Sequence, residues 1–163
     1  MENENVYLNK EESYILETPQ KLIDDTILKV ENILKSKFPD YLTFGKGTYT
    51  ISRGSTQVMV VVRPFTEFDT CIECVANVVS GAEITNELMQ YLLRKNAEIH
   101  FGAFGLLFDN SIVFQHSIAG TNAEENEIVT SINAVAIIAD HYDDIIVEMS
   151  GGKCAVDNTE NFD

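Results

Sequence analysis

The chain has 163 residues, enough for one domain that buries its own core without disulfide or metal staples. Eleven basic and 26 acidic residues give a net charge of −15, which repels nucleic acid and anionic lipid and suits solubility or a basic partner. No run approaches the ~18 apolar residues of a membrane span, and three cysteines, an odd number, make no disulfide framework, so the reducing cytoplasm is the expected compartment.

Residues 1–17 hold five Glu against one Lys, with no clean period and no apolar stretch of the secretory kind. They are expected to form a loose acidic arm. A helix is expected next, with Thr18 as N-cap and Pro19 at its first position. Leu22, Ile23, Ile27, Val30, Ile33, Leu34 and Phe38 recur along it at helical spacing, and Pro39 stops it. Strands follow. Tyr49 and Ile51 alternate with Thr48, Thr50 and Ser52, and Arg53-Gly54 has the form of a two-residue hairpin turn into the apolar run Val58 to Val62. Pro64 to Asp69 is a turn, and Cys71 to Val79 a third strand. With that loop length, Tyr49, Ile51, Val58, Val60 and Val62 share a core face with Ile72, Cys74, Ala76 and Val78. Gln57, Met59, Val61, Cys71, Glu73, Val75, Asn77 and Val79 fall on the other face.

A second helix is capped by Thr85 and carries Leu88, Tyr91 and Leu92 as its stripe. Phe104 to Phe108 and Ile112 to Ile118 are two more strands around Asp109-Asn110. A two-residue loop pairs Gly105 with Phe114. A three-residue loop instead gathers Phe104, Leu106, Phe108, Ile112 and Phe114 on one face, and is favoured because it collects the bulk. The last helix runs from about Ala123 to Ser150, opened by Asn122 and Glu125 as a capping pair and ended by Gly151-Gly152. Between Ile128 and Met149, 14 of 22 residues are apolar, too many for a helix with one narrow buried stripe, so it is expected to be largely buried. The reading is an arm (1–17), one α+β domain (18–152) and a polar tail (153–163). Its antiparallel sheet has about five strands, in the order α-β-β-β-α-β-β-α.

Catalytic chemistry is hard to find. Cys71 and Cys74 spell C-x-x-C, but residues three apart on a strand point to opposite faces and cannot share an ion. His141 lies beside Asp140, Asp143 and Asp144, where Asp140 and Asp144 are expected to be solvated rather than ligands. His116 and Ser117 are strand neighbours facing opposite ways, so they are no nucleophile–base pair. No phosphate loop and no G-x-S-x-G elbow occurs. No enzyme, no metal site and no cofactor is therefore expected. The informative feature is apolar surface. Met59, Val61 and Val75 lie on the less cleanly alternating sheet face, and Ile137 falls inside the polar stripe of the last helix (Asn126, Thr130, Asn133, Asp140, Asp144, Glu148). Either these residues pack under another part of the chain, or they mark a surface for a protein or peptide partner or for a second copy.

The segments SRGSTQVMVVVRPF, ITNELMQYLLRKNAEIHFGAFGLLFD, HSIAGTNAEENE and NAVAIIADHYDD resemble the YbjN-domain proteins, cyanobacterial members above all, over roughly Thr18 to Gly152. The resemblance implies a fold like that of the small acidic chaperones of type III secretion, dimers that hold an extended or partly unfolded segment of a client protein. It carries no catalytic residue. It leaves two readings: a chaperone-like protein that binds a peptide client, and a sensory-transduction regulator acting through one folded partner. Neither involves nucleic acid or a membrane.

Overall fold

The computed structural model describes residues 17–155. The expected arm, apart from Glu17, and the tail beyond Ala155 lie outside the described residues. The described chain runs α1 (Gln20–Lys37), β1 (Leu42–Gly45), β2 (Thr48–Arg53), β3 (Thr56–Pro64), β4 (Thr70–Ser80), α2 (Asn86–Glu98), β5 (Ala103–Leu106), β6 (Ile112–Ala119), α3 (Glu125–Ser150) and β7 (Lys153–Cys154). The strands form one antiparallel sheet in the order β1-β2-β3-β4-β6-β5, with β7 pairing the far end of β4. The fold class is α+β, as expected, but the sheet has seven strands rather than five.

The two extra strands escaped the sequence for a physical reason. All four residues of β1 are exposed, so its composition carries no alternation of burial. Its turn into β2 has positive φ at Gly45, Lys46 and Gly47, a backbone that glycine adopts without a Cβ penalty, and the two strands pair as a hairpin around it. β7 is two residues long, too short for any period.

The core face is the expected one. Tyr49, Ile51, Val58, Val60, Val62, Ile72, Cys74, Ala76 and Val78 are all buried beneath the helices. The β2–β3 turn is displaced from its expected place: Arg53 pairs with Thr56, so the turn residues are Gly54-Ser55, with the positive φ at Gly54. A slip of two residues preserves which side chains share a face. In the last hairpin Phe104 pairs with Phe114 and Leu106 with Ile112, which is the expected face. Phe108 does not join it. The loop has the favoured three residues but falls one position earlier, at Phe108 to Asn110, closed by Leu107 N–H donating to Ser111 O (2.9 Å), and Phe108 projects from it fully exposed.

α3 lies across β4, β3 and β6, with α1 beside it over β3 and β4, and α2 against β5. Ile128, Ile132, Val135, Ala136, Ala139 and Ile146 carry the buried stripe of α3. Its capping box is formed by Glu124 and Glu127, two residues later than expected. Thr85 caps α2 as expected, accepting from Leu88 N–H (3.1 Å). Thr18 does not cap α1. Its hydroxyl accepts from Phe65 N–H (2.8 Å) and ties the start of the helix to the β3–β4 turn. No described helix is long and apolar enough to cross a membrane.

Candidate binding surface

All three helices pack on one side of the sheet or at its β5 edge. The opposite face carries no helix among the described residues. Pairing sets the rows of side chains on this outer face. Leu42, Thr50, Met59, Val75 and Gln115 stand in successive cross-strand register from β1 to β6. One step along lie Thr48, Val61, Glu73 and Ser117. Arg63 and Glu73 form an ion pair on this face, the only charge pair described there.

Toward the Gly54 end, the face sinks into a groove of about 550 Å³. Met59, Val75 and Val113 give its apolar floor, and Thr50, Ser52, Gln57 and Asn77 its polar parts. Leu107, Asp109 and Ser111 of the β5–β6 turn form one wall, and Ala155 reaches it from beyond β7. That wall is held by side-chain bonds. Asn77 Nδ2 donates to Ser80 Oγ (3.0 Å), which lies 3.3 Å from Ser111 Oγ. Asp109 accepts from Ser111 N–H (2.9 Å), and this bond holds its carboxyl below the usual carboxylate range. No cation lines the groove among the described residues.

The two edges of the sheet differ. At β5, Asn96 of α2 uses its carboxamide as a substitute strand: Oδ1 accepts from Phe104 N–H (2.7 Å) and Nδ2 donates to Phe104 O (3.2 Å). That edge is closed. At β1 no strand or helix among the described residues pairs with the outward edge, and Leu42 and Phe44 stand exposed on it. An open edge of this kind is a template for a further strand.

The four residues singled out from the sequence separate into three places. Met59 (39% exposed) and Val75, half-buried, face each other across β3 and β4 in the groove floor. Val61 shares their face but is 8% exposed and lies outside the groove. Ile137 is 68% exposed on α3, on the other side of the sheet. Around Ile137, Arg53 donates to Asn133 Oδ1 (2.9 and 3.2 Å) and its guanidinium stacks over Phe38, while Ser55 Oγ donates to Asp140 Oδ1 (2.6 Å). Two residues of the polar stripe, expected to be solvated, thus anchor the β2–β3 turn. Sequence reasoning missed Leu42, Phe44, Leu107 and Ala155, because only long-range pairing brings them to this face.

Cys71 and Cys74 do lie on opposite faces. Cys74 is wholly buried and its thiol is pushed up to about 12 by burial. Cys71 is half-buried on the outer face. Asp143, Asp144 and Cys154 place their ligand-type atoms within 4.8 Å of one another, and His141 is not part of that group. Burial raises the Asp143 carboxyl above its ordinary value, with the Asp144 and Asp140 charges adding to it. Cys154 lies in the expected tail, but it pairs with Val79 as part of β7.

The described chain is thus an α+β fold whose antiparallel sheet packs its helices on one face. Two solved structures share it. A chain of the ExsC–ExsE complex superposes with a TM-score of 0.56 at 12% identity, covering 76% of this chain and 93% of that one. A chain of the HopA1–SchA chaperone–effector complex gives 0.57 at 10% identity, covering 77% and 96%. The family model described as T3SS (YopN, CesT) and YbjN peptide-binding chaperone 1 (TY-Chap1) matches residues 24–158, and the chain belongs to this family. No curated protein sequence matches the chain.

Proposed function

We propose that the protein is a non-enzymatic, chaperone-like protein of the cytoplasm that holds an extended segment of a client protein along β1 and over the outer sheet face. The observation that carries this is the contrast between the edges: Asn96 closes one and the other is left open beside an apolar row. A guest strand on β1 gains main-chain hydrogen bonds, each contributing roughly 0.5–1.5 kcal/mol net. Every second guest side chain then falls beside Leu42 and Phe44, on the face that leads to Met59 and Val75. The net charge of −15 favours cationic segments and speeds their encounter. The family's description as peptide-binding chaperones supports the same reading. Ile137, on the helix side, is the position proposed for contact with a second copy.

The test is selection of random peptides displayed on phage against the full chain. Enriched peptides should alternate apolar and polar residues and carry net positive charge. Their affinity should fall at least about tenfold, or 1.4 kcal/mol, on Met59→Asp or Leu42→Asp. Enrichment of nothing, or of peptides indifferent to both substitutions, overturns the proposal.

A further inference from the structure

Asp109 is the only charged side chain among the described residues that line the outer-face groove. The β5–β6 turn fixes it there. Its Oδ1 accepts from Ser111 N–H (2.9 Å), and Leu107 N–H donating to Ser111 O (2.9 Å) closes the turn around it. The Ser111 bond holds the carboxyl below its usual range, so it is ionised at neutral pH. No Lys or Arg among the described residues pairs with it. A carboxylate has about four lone-pair sites, so the bond from Ser111 leaves room for further donors. Arg53, at the other end of the groove, is turned to the helix side, where it holds Asn133 and stacks over Phe38.

Beside this carboxylate the floor is apolar. Val113 lies two residues from Ser111 along the chain, ~7 Å in extended backbone, and stands diagonal to Val75, since Val75 pairs with Gln115 and Asn77 with Val113. An acidic occupant would be repelled here, and a purely apolar one would strip water from Asp109 and give nothing back. The side chains of arginine and lysine unite what the groove presents, a run of methylenes and a cation at its end. We infer that the groove is a pocket for one basic side chain of an extended client, its methylenes over Val75 and Val113 and its cation on Asp109. The inference deepens the peptide-binding reading above and rests on it. It turns the diffuse attraction of a net charge of −15 into a preference at one position. Met59 lies on β3, two strand spacings or roughly 10 Å from β6. An apolar client residue at Met59 and the basic one at Asp109 are then about three positions apart in an extended segment.

The probe is N-acetyl-arginine amide, titrated into the isotope-labelled full chain and read by NMR at the Ser111 amide and the Val113 methyls. A ligand of this size binds such a pocket in the roughly millimolar range, and both signals should follow one saturable curve. Asp109→Asn keeps an oxygen for Ser111 N–H and removes the charge. It should weaken binding about two- to fivefold, as expected of an exposed ion pair. Glu148→Gln, the same charge change on the exposed side of α3, should leave binding as it was. N-acetyl-norleucine amide, which has the stem without the cation, should bind more weakly and be indifferent to Asp109→Asn. Equal losses on Asp109→Asn and Glu148→Gln reduce the effect to diffuse attraction and overturn the pocket. So do unshifted signals at Ser111 and Val113, or a norleucine amide that binds as well as the arginine amide. The probe needs no client. A chain that ignores the probe yet enriches peptides by display loses this inference and keeps the peptide-binding reading. Uptake of the probe by a chain that enriches no peptide keeps the pocket and removes the client.

Discussion

Val61 and Met59 stand two residues apart on one strand and one face, yet the structure gives them different fates under the same substitution. Val61 is 8% exposed, between Thr48 and Glu73. Val61→Asp loses most of the roughly 1.5–3 kcal/mol of a buried valine. It also sets a carboxylate directly across from Glu73, whose partner Arg63 is already engaged. A buried charge with only part of a partner brings the total to about 3–5 kcal/mol. At roughly 2–4 °C per kcal/mol for a domain of this size, Tm should fall by about 10 °C. Met59 is 39% exposed and opens onto the groove. There an aspartate keeps its water, and the loss is near 1 kcal/mol. Circular-dichroism melts of the two variants at pH 7, with binding of a display-selected peptide measured on both, separate the roles. Met59→Asp should keep the fold and lose the peptide. If the two variants melt alike, or Met59→Asp is the less stable, the assignment of Val61 to the core and Met59 to the surface is wrong.

Three further outcomes are expected. Asp69 accepts from Thr70 N–H (2.8 Å) and Thr121 N–H (2.9 Å), and the Thr121 bond leads in holding its carboxyl below the ordinary value. Its stabilisation is therefore complete above the unfolded carboxylate pKa, about 4, and lost as pH falls through the lower folded value. The gap in stability between wild type and Asp69→Ala should narrow in acid, and a gap constant from pH 6 to 2.5 contradicts this. A Cβ on Gly120 would press into Thr70 Oγ1, with Thr26 Cγ2 at 3.1 Å and Ile72 Cγ1 at 3.2 Å, and Thr26 and Thr70 share a buried 2.8 Å hydrogen bond. Gly120→Ala should cost roughly 1–3 kcal/mol and be partly relieved by Thr70→Ala in a double-mutant cycle; strict additivity of the two rules out the contact. Ile137→Asp should leave melting within about 0.5 kcal/mol of wild type and lower the sedimentation coefficient of concentrated protein. A wild type that is monomeric at every concentration removes the proposed contact at Ile137.

What could be read from the sequence was whatever parity and local chemistry determine. Parity along Val58 to Val62 and Cys71 to Asn77 separates the core face from the outer face, and a turn placed one residue off, which slips the register by two, leaves that separation untouched; it fails only at Val79, expected outside but buried after a bulge in β4. Thr85 announces its helix because a hydroxyl before an apolar stripe has one local use. Thr18 looked the same and did something else, because Phe65, far along the chain, offered its N–H. The site was legible in part. Met59 and Val75 stood out as apolar residues on a face that alternates poorly. The groove did not, since its wall comes from the β5–β6 turn and from Ala155, and nothing local brings these beside β3 and β4. The open edge was invisible because β1 was, and the closed edge depends on one asparagine, Asn96, reaching across from a helix.

Hydrogen exchange of the full chain, with and without a display-selected peptide, tests the central claim most directly. Strand addition predicts that the amides of Leu42 to Gly45 gain protection on binding, with a smaller gain around Met59 and Val75, while Phe104, already bonded to Asn96, stays as it was. Protection confined to the helix layer, or a β1 edge that exchanges equally fast in both states, contradicts it.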